Sequence, residues 1–111
     1  WFGGKNERCI VAGDFNNSII WDKKGNDNNF NNINDHFVDL GFVSNYHSLK
    51  KETFGKESSA TFYHTKKESK KYHIDYIYSK NLIPKELQVG LYSDWIQYSD
   101  HSPLVVEYNI L

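Results

Sequence analysis

The sequence has no methionine, a single cysteine and only two prolines among its 111 residues. The lone Cys9 excludes a disulfide framework within the chain and leaves the redox compartment unnamed; for localisation we favour the cytoplasm. No apolar run reaches the roughly 18 residues of a membrane-spanning helix, and the first residues show no signal-peptide pattern. Because translation begins with methionine and this chain begins with Trp1, we expect a piece of a longer protein.

Net charge is also nearly absent, because 13 Lys and Arg stand against 14 Asp and Glu. This balance argues against tight non-specific binding of nucleic acid by electrostatics alone, although a local patch could still hold such a substrate. Aromatic side chains are plentiful, at 16% of all residues, and they supply much of the surface available for burial. At this length, with no repeat and no linker, we expect one domain over residues 1–111.

The hydrophobic pattern predicts several strands and one helix. Phe30, Ile33, Phe37 and Leu40 recur at helical spacing, and Gly41 is placed to end that helix. We predict strands at five segments: Arg8–Asp14, Ala60–His64, Tyr72–Ser79, Leu87–Tyr92 and Leu104–Ile110. Phe42–His47 is predicted as a strand or the entry to one. The charge run 66–71 is expected to form a solvated hairpin tip. This order favours an α/β or α+β domain with one mixed, mostly antiparallel sheet under helix cover.

Two polar side chains follow the first predicted strand, in the segment Gly13-Asp14-Phe15-Asn16. If the backbone stays extended, Asp14 and Asn16 project to the same side and could together hold a water or a phosphate oxygen. The alternative is an Asx turn, in which these side chains bond their own backbone. For this segment taken alone, we favour the turn.

A carboxylate and an imidazole further along the chain lack local partners. Asp75 lies in an otherwise apolar strand, where a buried carboxylate needs a partner, although an edge-strand Asp facing solvent is equally compatible. Asp100 and His101 are adjacent, so their side chains diverge and each requires a partner elsewhere. We predict that His101 pairs with Asp75, which leaves Asp100 free to bind a hard cation. A simple polar turn before the last strand is the alternative.

The three segments together are more specific than any one of them. GDFN at Gly13–Asn16, HIDYIY at His73–Tyr78 and SDHSPL at Ser99–Leu104 resemble, in order and spacing, the endonuclease/exonuclease/phosphatase superfamily. The superfamily includes DNase I, exonuclease III-like repair nucleases, sphingomyelinases and inositol-polyphosphate phosphatases, and the resemblance spans roughly Cys9–Tyr108. It implies the C-terminal half of a DNase I-like two-sheet α/β sandwich, whose N-terminal half carries further metal ligands.

The resemblance implies a catalytic role for four residues. Asp14 corresponds to the aspartate that orients or deprotonates the attacking water. Asn16 corresponds to the asparagine that positions the phosphate and stabilises its developing charge, which makes it a substrate-binding residue too. Asp75 corresponds to the acidic partner of the catalytic histidine, here His101. The implied reaction is hydrolysis of a phosphate ester by in-line attack of water.

Metal and substrate contacts are implied in the same way. Asp100 corresponds to an aspartate associated with the divalent metal, Mg²⁺ or Mn²⁺, whose other ligands would come from the N-terminal half. Phe62, after Thr61, lies where relatives place an aromatic near the substrate pocket, although for this side chain taken alone we favour core packing. His36, His47 and His64 lack zinc spacing, so the sequence predicts no zinc site.

The leading functional interpretation is a metal-dependent phosphoesterase, most often a nucleic-acid phosphodiesterase. The alternatives are a phosphatase or phospholipase acting on a small-molecule or lipid phosphate, and a binding module that has lost catalysis on the same scaffold. In the two-sheet sandwich the N-terminal half would cover one face of this chain. We therefore expect the isolated chain to self-associate or to be marginally stable, and to be inactive even with Mg²⁺.

Overall fold

The computed structural model of this chain describes residues 7–110, and Trp1 lies outside them. The elements in chain order are β1 (Cys9–Asp14), α1 (Phe30–Asp39), β2 (Val43–Ser44), α2 (Asn45–Lys50), β3 (Phe62–Tyr63), β4 (Lys71–Tyr72), β5 (Asp75–Lys80), β6 (Ile83–Val89), α3 (Tyr92–Trp95) and β7 (Leu104–Asn109). Short 3-10 turns occupy Ile19–Trp21 and His64–Lys66. The fold is therefore mixed α+β. Within the described residues, no helix is both long and apolar enough to cross a bilayer.

The strands of the described chain form three small antiparallel sheets instead of the single mixed sheet predicted. One sheet has the order β1-β5-β2, while β3 pairs with β4 and β6 pairs with β7. The predicted strand Tyr72–Ser79 is divided at His73 and Ile74. There the Ile74 N–H donates to the Thr61 hydroxyl at 3.0 Å, and its carbonyl accepts the Phe15 N–H at 3.0 Å. These partners separate β4 from β5.

The core lies where α1 packs on the β1-β5-β2 sheet. Phe30 and Phe42 are buried with Tyr76 and Tyr78 of β5. The ring of Phe37 stacks on Tyr78 with centroids 4.4 Å apart. Strand β5 is buried on both faces, which suits the centre of a sheet. It therefore offers no exposed apolar face that an N-terminal half could cover.

The predicted helix is present as α1, and both of its ends are satisfied. The carboxylate of Asp22 accepts the first two N–H groups of the helix at 2.7 and 3.0 Å. At the other end Gly41 adopts φ 90°, and the chain closes with the paired hydrogen bonds of a Schellman motif. Leu40, the last residue of the predicted apolar face, is the C-cap of α1, one residue after the helix ends. It is 47% exposed.

The segment Phe42–His47, predicted as a strand or the entry to one, contains only the two residues of β2 before α2 begins at Asn45. Hydrogen bonds to distant residues determine this change. The side chain of Asn45 donates to the Ser79 hydroxyl at 2.8 Å and accepts the Tyr108 hydroxyl. These bonds bury α2 against the sheet, and no local pattern in the sequence indicates them.

The C-terminal strand boundaries also differ from expectation. Strand β6 begins at Ile83 and ends at Val89, whereas the sequence predicted Leu87–Tyr92. Pro84 is accommodated because the pairing with β7 shifts register between Pro84 and Glu86. Tyr92 instead starts α3. The predicted hairpin tip is confirmed, since residues 64–70 join β3 to β4 and are exposed.

Candidate catalytic site

The site is centred on two carboxylates that face each other across the sheet. Asp14 is the last residue of β1 and Asp75 is the first residue of β5, and the register pairs them directly. Like charges directly opposite each other in an antiparallel pair are destabilising, so this arrangement has a cost in stability. The side chain of Asp75 is 14% exposed and that of Asp14 is 47% exposed. The pair thus has a sheltered member and an open one.

His101 lies between these two carboxylates. Its Nδ1 is 2.9 Å from Asp75 Oδ2, and its Nε2 is 3.7 Å from Asp14 Oδ2. The predicted contact between His101 and Asp75 is confirmed. His101 is not part of a strand next to β5, however. It lies before β7 and forms an isolated bridge with Phe62 of β3. An ionised carboxylate only accepts hydrogen bonds, so Nδ1 carries the proton and Nε2 faces Asp14.

Backbone hydrogen bonds hold both ends of this contact. The hydroxyl of Thr61, which is fully buried, accepts the N–H groups of Ile74 and Asp75 at 3.0 and 3.1 Å. The Ser99 hydroxyl accepts the N–H of His101 at 3.0 Å. The sequence placed Thr61 only near a substrate pocket. Thr61 and Asp75 are 14 residues apart, so no local pattern in the sequence predicts this hydrogen bond.

Asn16 does not project beside Asp14 as an extended backbone would require. It adopts φ 50°, and its N–H donates to Asp14 Oδ1 at 2.7 Å. This is the Asx turn weighed as the alternative, and Asn tolerates the left-handed conformation that it needs. The exposed Asn16 lines a cleft of about 550 Å³ whose other walls include Trp21 and Lys23. The turn therefore places Asn16 in the wall of this cleft, two residues along the chain from Asp14.

Phe62 contacts His101 in the site, whereas Asp100 contributes a backbone contact next to it. The half-buried Phe62 ring packs on the His101 imidazole with centroids 4.9 Å apart. Asp100 contributes its carbonyl to the Tyr63 N–H at 2.8 Å. Among residues 7–110, its carboxylate belongs to neither group of three side chains close enough to share an ion. Because the other ligands implied for its metal would come from an N-terminal half, the metal role of Asp100 stays a prediction.

One such group is Asp14, Asp75 and His101, whose ligand atoms lie within 4.8 Å of one another. Mg²⁺ binds through one or two carboxylates, keeps several waters and takes further oxygens from substrate phosphates. Two facing carboxylates, one of them open to solvent, fit that requirement. The donor chemistry of this group is thus compatible with a hard divalent cation held mainly by Asp14.

Comparison with protein-family models, curated proteins and solved structures finds no match to this chain in any of the three. The superfamily resemblance therefore depends on the three segments quoted above. In the structure, one residue from each of these segments contributes to the group of Asp14, Asp75 and His101.

Proposed function

We propose that this chain carries the acid–base half of a metal-dependent phosphoesterase site, with nucleic-acid phosphodiesters as its substrates. The observation that carries the proposal is His101 lying between two cross-strand carboxylates, Asp75 at 2.9 Å and Asp14 at 3.7 Å. Two like charges directly opposite each other lower the stability of the sheet, and functional sites commonly retain residues that lower stability.

In the proposed reaction the chain's own residues manage protons and charge. Asp75 holds the Nδ1 proton of His101, which fixes the tautomer and directs Nε2 to the open side. Water, oriented by the Asp14 carboxylate, attacks phosphorus in line, its proton passes to the lone pair of His101 Nε2, and the ester oxygen leaves with the electrons of the broken P–O bond. The Asn16 carboxamide donates to a phosphoryl oxygen. Each of these contributions requires the group at the position that the fold gives it.

The proposed cofactor is Mg²⁺, or Mn²⁺, which when bound neutralises negative charge on the phosphoryl oxygens. Asp14 would hold it, and the resemblance adds Asp100 and ligands from an N-terminal half. The open carboxylate of Asp14 has one oxygen engaged by the Asn16 N–H, which orients the other toward His101.

Two features favour a nucleic acid over a small phosphate ester. The hairpin that places Phe62 against His101 ends in the exposed tip 66–71, where four lysines and one glutamate give a net charge of +3. A basic tip next to the site can contact backbone phosphates beyond the reacting one. The cleft beside Asn16 also has Trp21 in its wall, and an indole can stack on a base.

The test measures turnover of several substrates by the complete catalytic domain, which includes the N-terminal half that the resemblance implies. We expect Mg²⁺-dependent cleavage of duplex DNA with an abasic site, and little turnover of sphingomyelin or inositol phosphates. Preferential hydrolysis of either of the latter would move the function to the phospholipase or phosphatase class. No hydrolysis of any substrate, with nucleic acid still bound, would favour a binding module.

The basic tip gives a sharper second measurement. A Lys66→Ser/Lys67→Ser/Lys70→Ser triple variant should raise KM for DNA several-fold and weaken its salt dependence, because fewer counterions are released on binding. Its kcat/KM for a small soluble phosphodiester should be unchanged. A matched variant that removes three exposed lysines elsewhere, Lys50, Lys56 and Lys85, controls for net charge. Equal effects of the two variants would show that the tip does not contact substrate.

A further inference from the structure

A second group of potential metal ligands is buried in the structure, and its residues all precede Asp75 in the sequence. It consists of His47 from α2, Glu57 from the loop after α2, and His73, and one ligand atom from each lies within 4.8 Å of the other two. His73 is 5% exposed, and the side chains of His47 and Glu57 are 6% and 4% exposed. Buried polar groups normally have hydrogen-bond partners, so a polar atom of this group that lacks one needs an explanation.

Two of the three side chains are satisfied within the protein. His47 Nε2 is 2.7 Å from Glu57 Oε2, and its Nδ1 is 2.6 Å from the Ser44 hydroxyl. Glu57 Oε2 also accepts the Gly55 N–H at 3.2 Å. These bonds explain His47 and Glu57 as a pair, but they leave the third side chain unexplained.

His73 presents a buried nitrogen without a partner. Its Nδ1 lies 2.9 Å from the Ser59 carbonyl, which can only accept, so Nδ1 carries the proton. Nε2 therefore offers a lone pair, and this atom is buried with no hydrogen-bond partner. A histidine that donates one N–H to a backbone carbonyl and leaves its other nitrogen free has the second-sphere arrangement of metal-ligating histidines.

We propose that His47, Glu57 and His73 form a Zn²⁺ site distinct from the catalytic group. Two imidazoles and one carboxylate suit Zn²⁺, which binds such ligands at about 2.0–2.2 Å and commonly takes water as a fourth ligand. The sequence predicted no zinc site because only His36, His47 and His64 were compared, a set that contains neither Glu57 nor His73. The ligands come from α2, the following loop and the segment before β5, so the ion would tie together three parts of the chain.

The surroundings of the group leave room for a fourth ligand. A cavity of about 150 Å³ is lined by Glu57 and His73 among others, and it can hold a water molecule beside them. The Phe54 ring stacks on His47 with centroids 3.6 Å apart, which gives the site an apolar wall. Nε2 of His47 would be the ligand, which requires the imidazole proton to lie on Nδ1. There it would donate a hydrogen bond to the Ser44 hydroxyl oxygen, 2.6 Å away, so that the ring stays neutral.

The experiment uses the chain stripped with a chelator and titrated with Zn²⁺ by calorimetry. We expect one high-affinity Zn²⁺ per chain and an increase in Tm of several degrees when Zn²⁺ is in large excess over Kd. His73→Gln should weaken Zn²⁺ binding by more than the roughly 10–100-fold loss typical of changes around a metal site. The variant also loses the 2.9 Å hydrogen bond from Nδ1 to the Ser59 carbonyl, so its metal-free Tm is measured as well and Zn²⁺ affinity is compared at a temperature where the metal-free variant is folded.

Two controls separate this site from others. His64→Gln removes an exposed histidine outside the group and should leave Zn²⁺ affinity unchanged. His101→Ala should also leave it unchanged, and loss of Zn²⁺ binding in that variant alone would assign the ion to the catalytic group instead. Independently of any variant, Co²⁺ on the wild-type chain should give the intense visible absorption of tetrahedral coordination. A weak octahedral spectrum, or no binding of Zn²⁺ to the folded chain, would overturn the proposal.

Discussion

Asp14 and Asp75 are direct partners in the antiparallel ladder between β1 and β5, with His101 in contact with Asp75 and facing Asp14. Two carboxylates in this relationship repel each other, and the repulsion is stronger because the Asp75 side chain is only 14% exposed. The imidazole offsets part of this repulsion, and a bound cation would offset more. The ladder register therefore couples stability to the proposed function at this position.

The first prediction uses that coupling. Asp14→Asn removes one of the two charges but keeps an oxygen that can accept the Asn16 N–H, so the metal-free chain should gain up to about 1 kcal/mol of unfolding free energy. In the complete catalytic domain the same variant should lower turnover at least roughly 100-fold. Urea unfolding and phosphodiesterase assays measure the two effects. Loss of both stability and activity would indicate that Asp14 is mainly structural.

The second prediction concerns His101. His101→Ala in the complete catalytic domain should reduce kcat at least roughly 100-fold, because it removes the group that lies between the two carboxylates. His64→Ala, which removes an exposed histidine at the start of the basic hairpin, is the matched control and should retain wild-type turnover. Near-wild-type rates for His101→Ala on the true substrate would exclude the proposed mechanism.

Much of the site could be predicted from local sequence, but its register could not. The partnership of His101 with Asp75 followed from a lone carboxylate in an apolar strand and a histidine without a local partner. The pairing of Asp14 with Asp75 depends on how two strands align over long range, and a strand that is buried on both faces carries little register information. The Asx turn at Asn16 was available as an alternative because Asn accepts a positive φ.

The errors in secondary structure have a similar origin. The helix ending at Gly41 could be predicted because its spacing and its cap are local signals. Helix α2 could not, because the bonds that favour it connect Asn45 with Ser79 and with Tyr108. The division between β4 and β5 likewise depends on the hydroxyl of Thr61, which is distant in sequence.

The third prediction tests that hydroxyl. Thr61→Val keeps the shape of the side chain but removes the acceptor for two backbone N–H groups, those of Ile74 and Asp75. Each buried donor left unsatisfied costs about 1–3 kcal/mol, so the unfolding free energy should fall by about 2 kcal/mol or more. Thr61→Ser retains the oxygen and should lose less. If valine and serine have equal effects in urea unfolding, the methyl group rather than the hydroxyl is what matters.

The fourth prediction concerns acid stability. The pKa of Glu52 is lowered from 4.5 to about 2, because the Ser58 hydroxyl and then the Tyr46 hydroxyl hydrogen-bond to its carboxylate. A depressed carboxyl pKa adds stability that is fully present above the unfolded value and is lost as the pH falls toward the folded value. Glu52→Gln should therefore reduce the loss of unfolding free energy between about pH 5 and pH 2. Glu68→Gln, at an exposed position, should leave that slope unchanged.

The fifth prediction concerns an apolar cleft of about 350 Å³ that is lined in part by Ile10, Leu82, Tyr108 and Ile110. Ile10 and Ile110 are 49% and 69% exposed, and β1 is an edge of its sheet. Exposed apolar surface beside an open edge favours association between chains. The chain should therefore show concentration-dependent association in size-exclusion chromatography and analytical ultracentrifugation.

A charge inside the cleft should reverse this association. Ile10→Lys adds a cation where a partner would bury it, so the monomer should predominate at concentrations where the wild-type chain associates. Val38→Lys, on an exposed position of α1 outside the cleft, introduces the same charge and should leave association unchanged. Since both side chains are already exposed, neither variant should alter the unfolding free energy of the monomer by more than about 0.5 kcal/mol. A wild-type chain that stays monomeric at all concentrations would show that the cleft does not drive association.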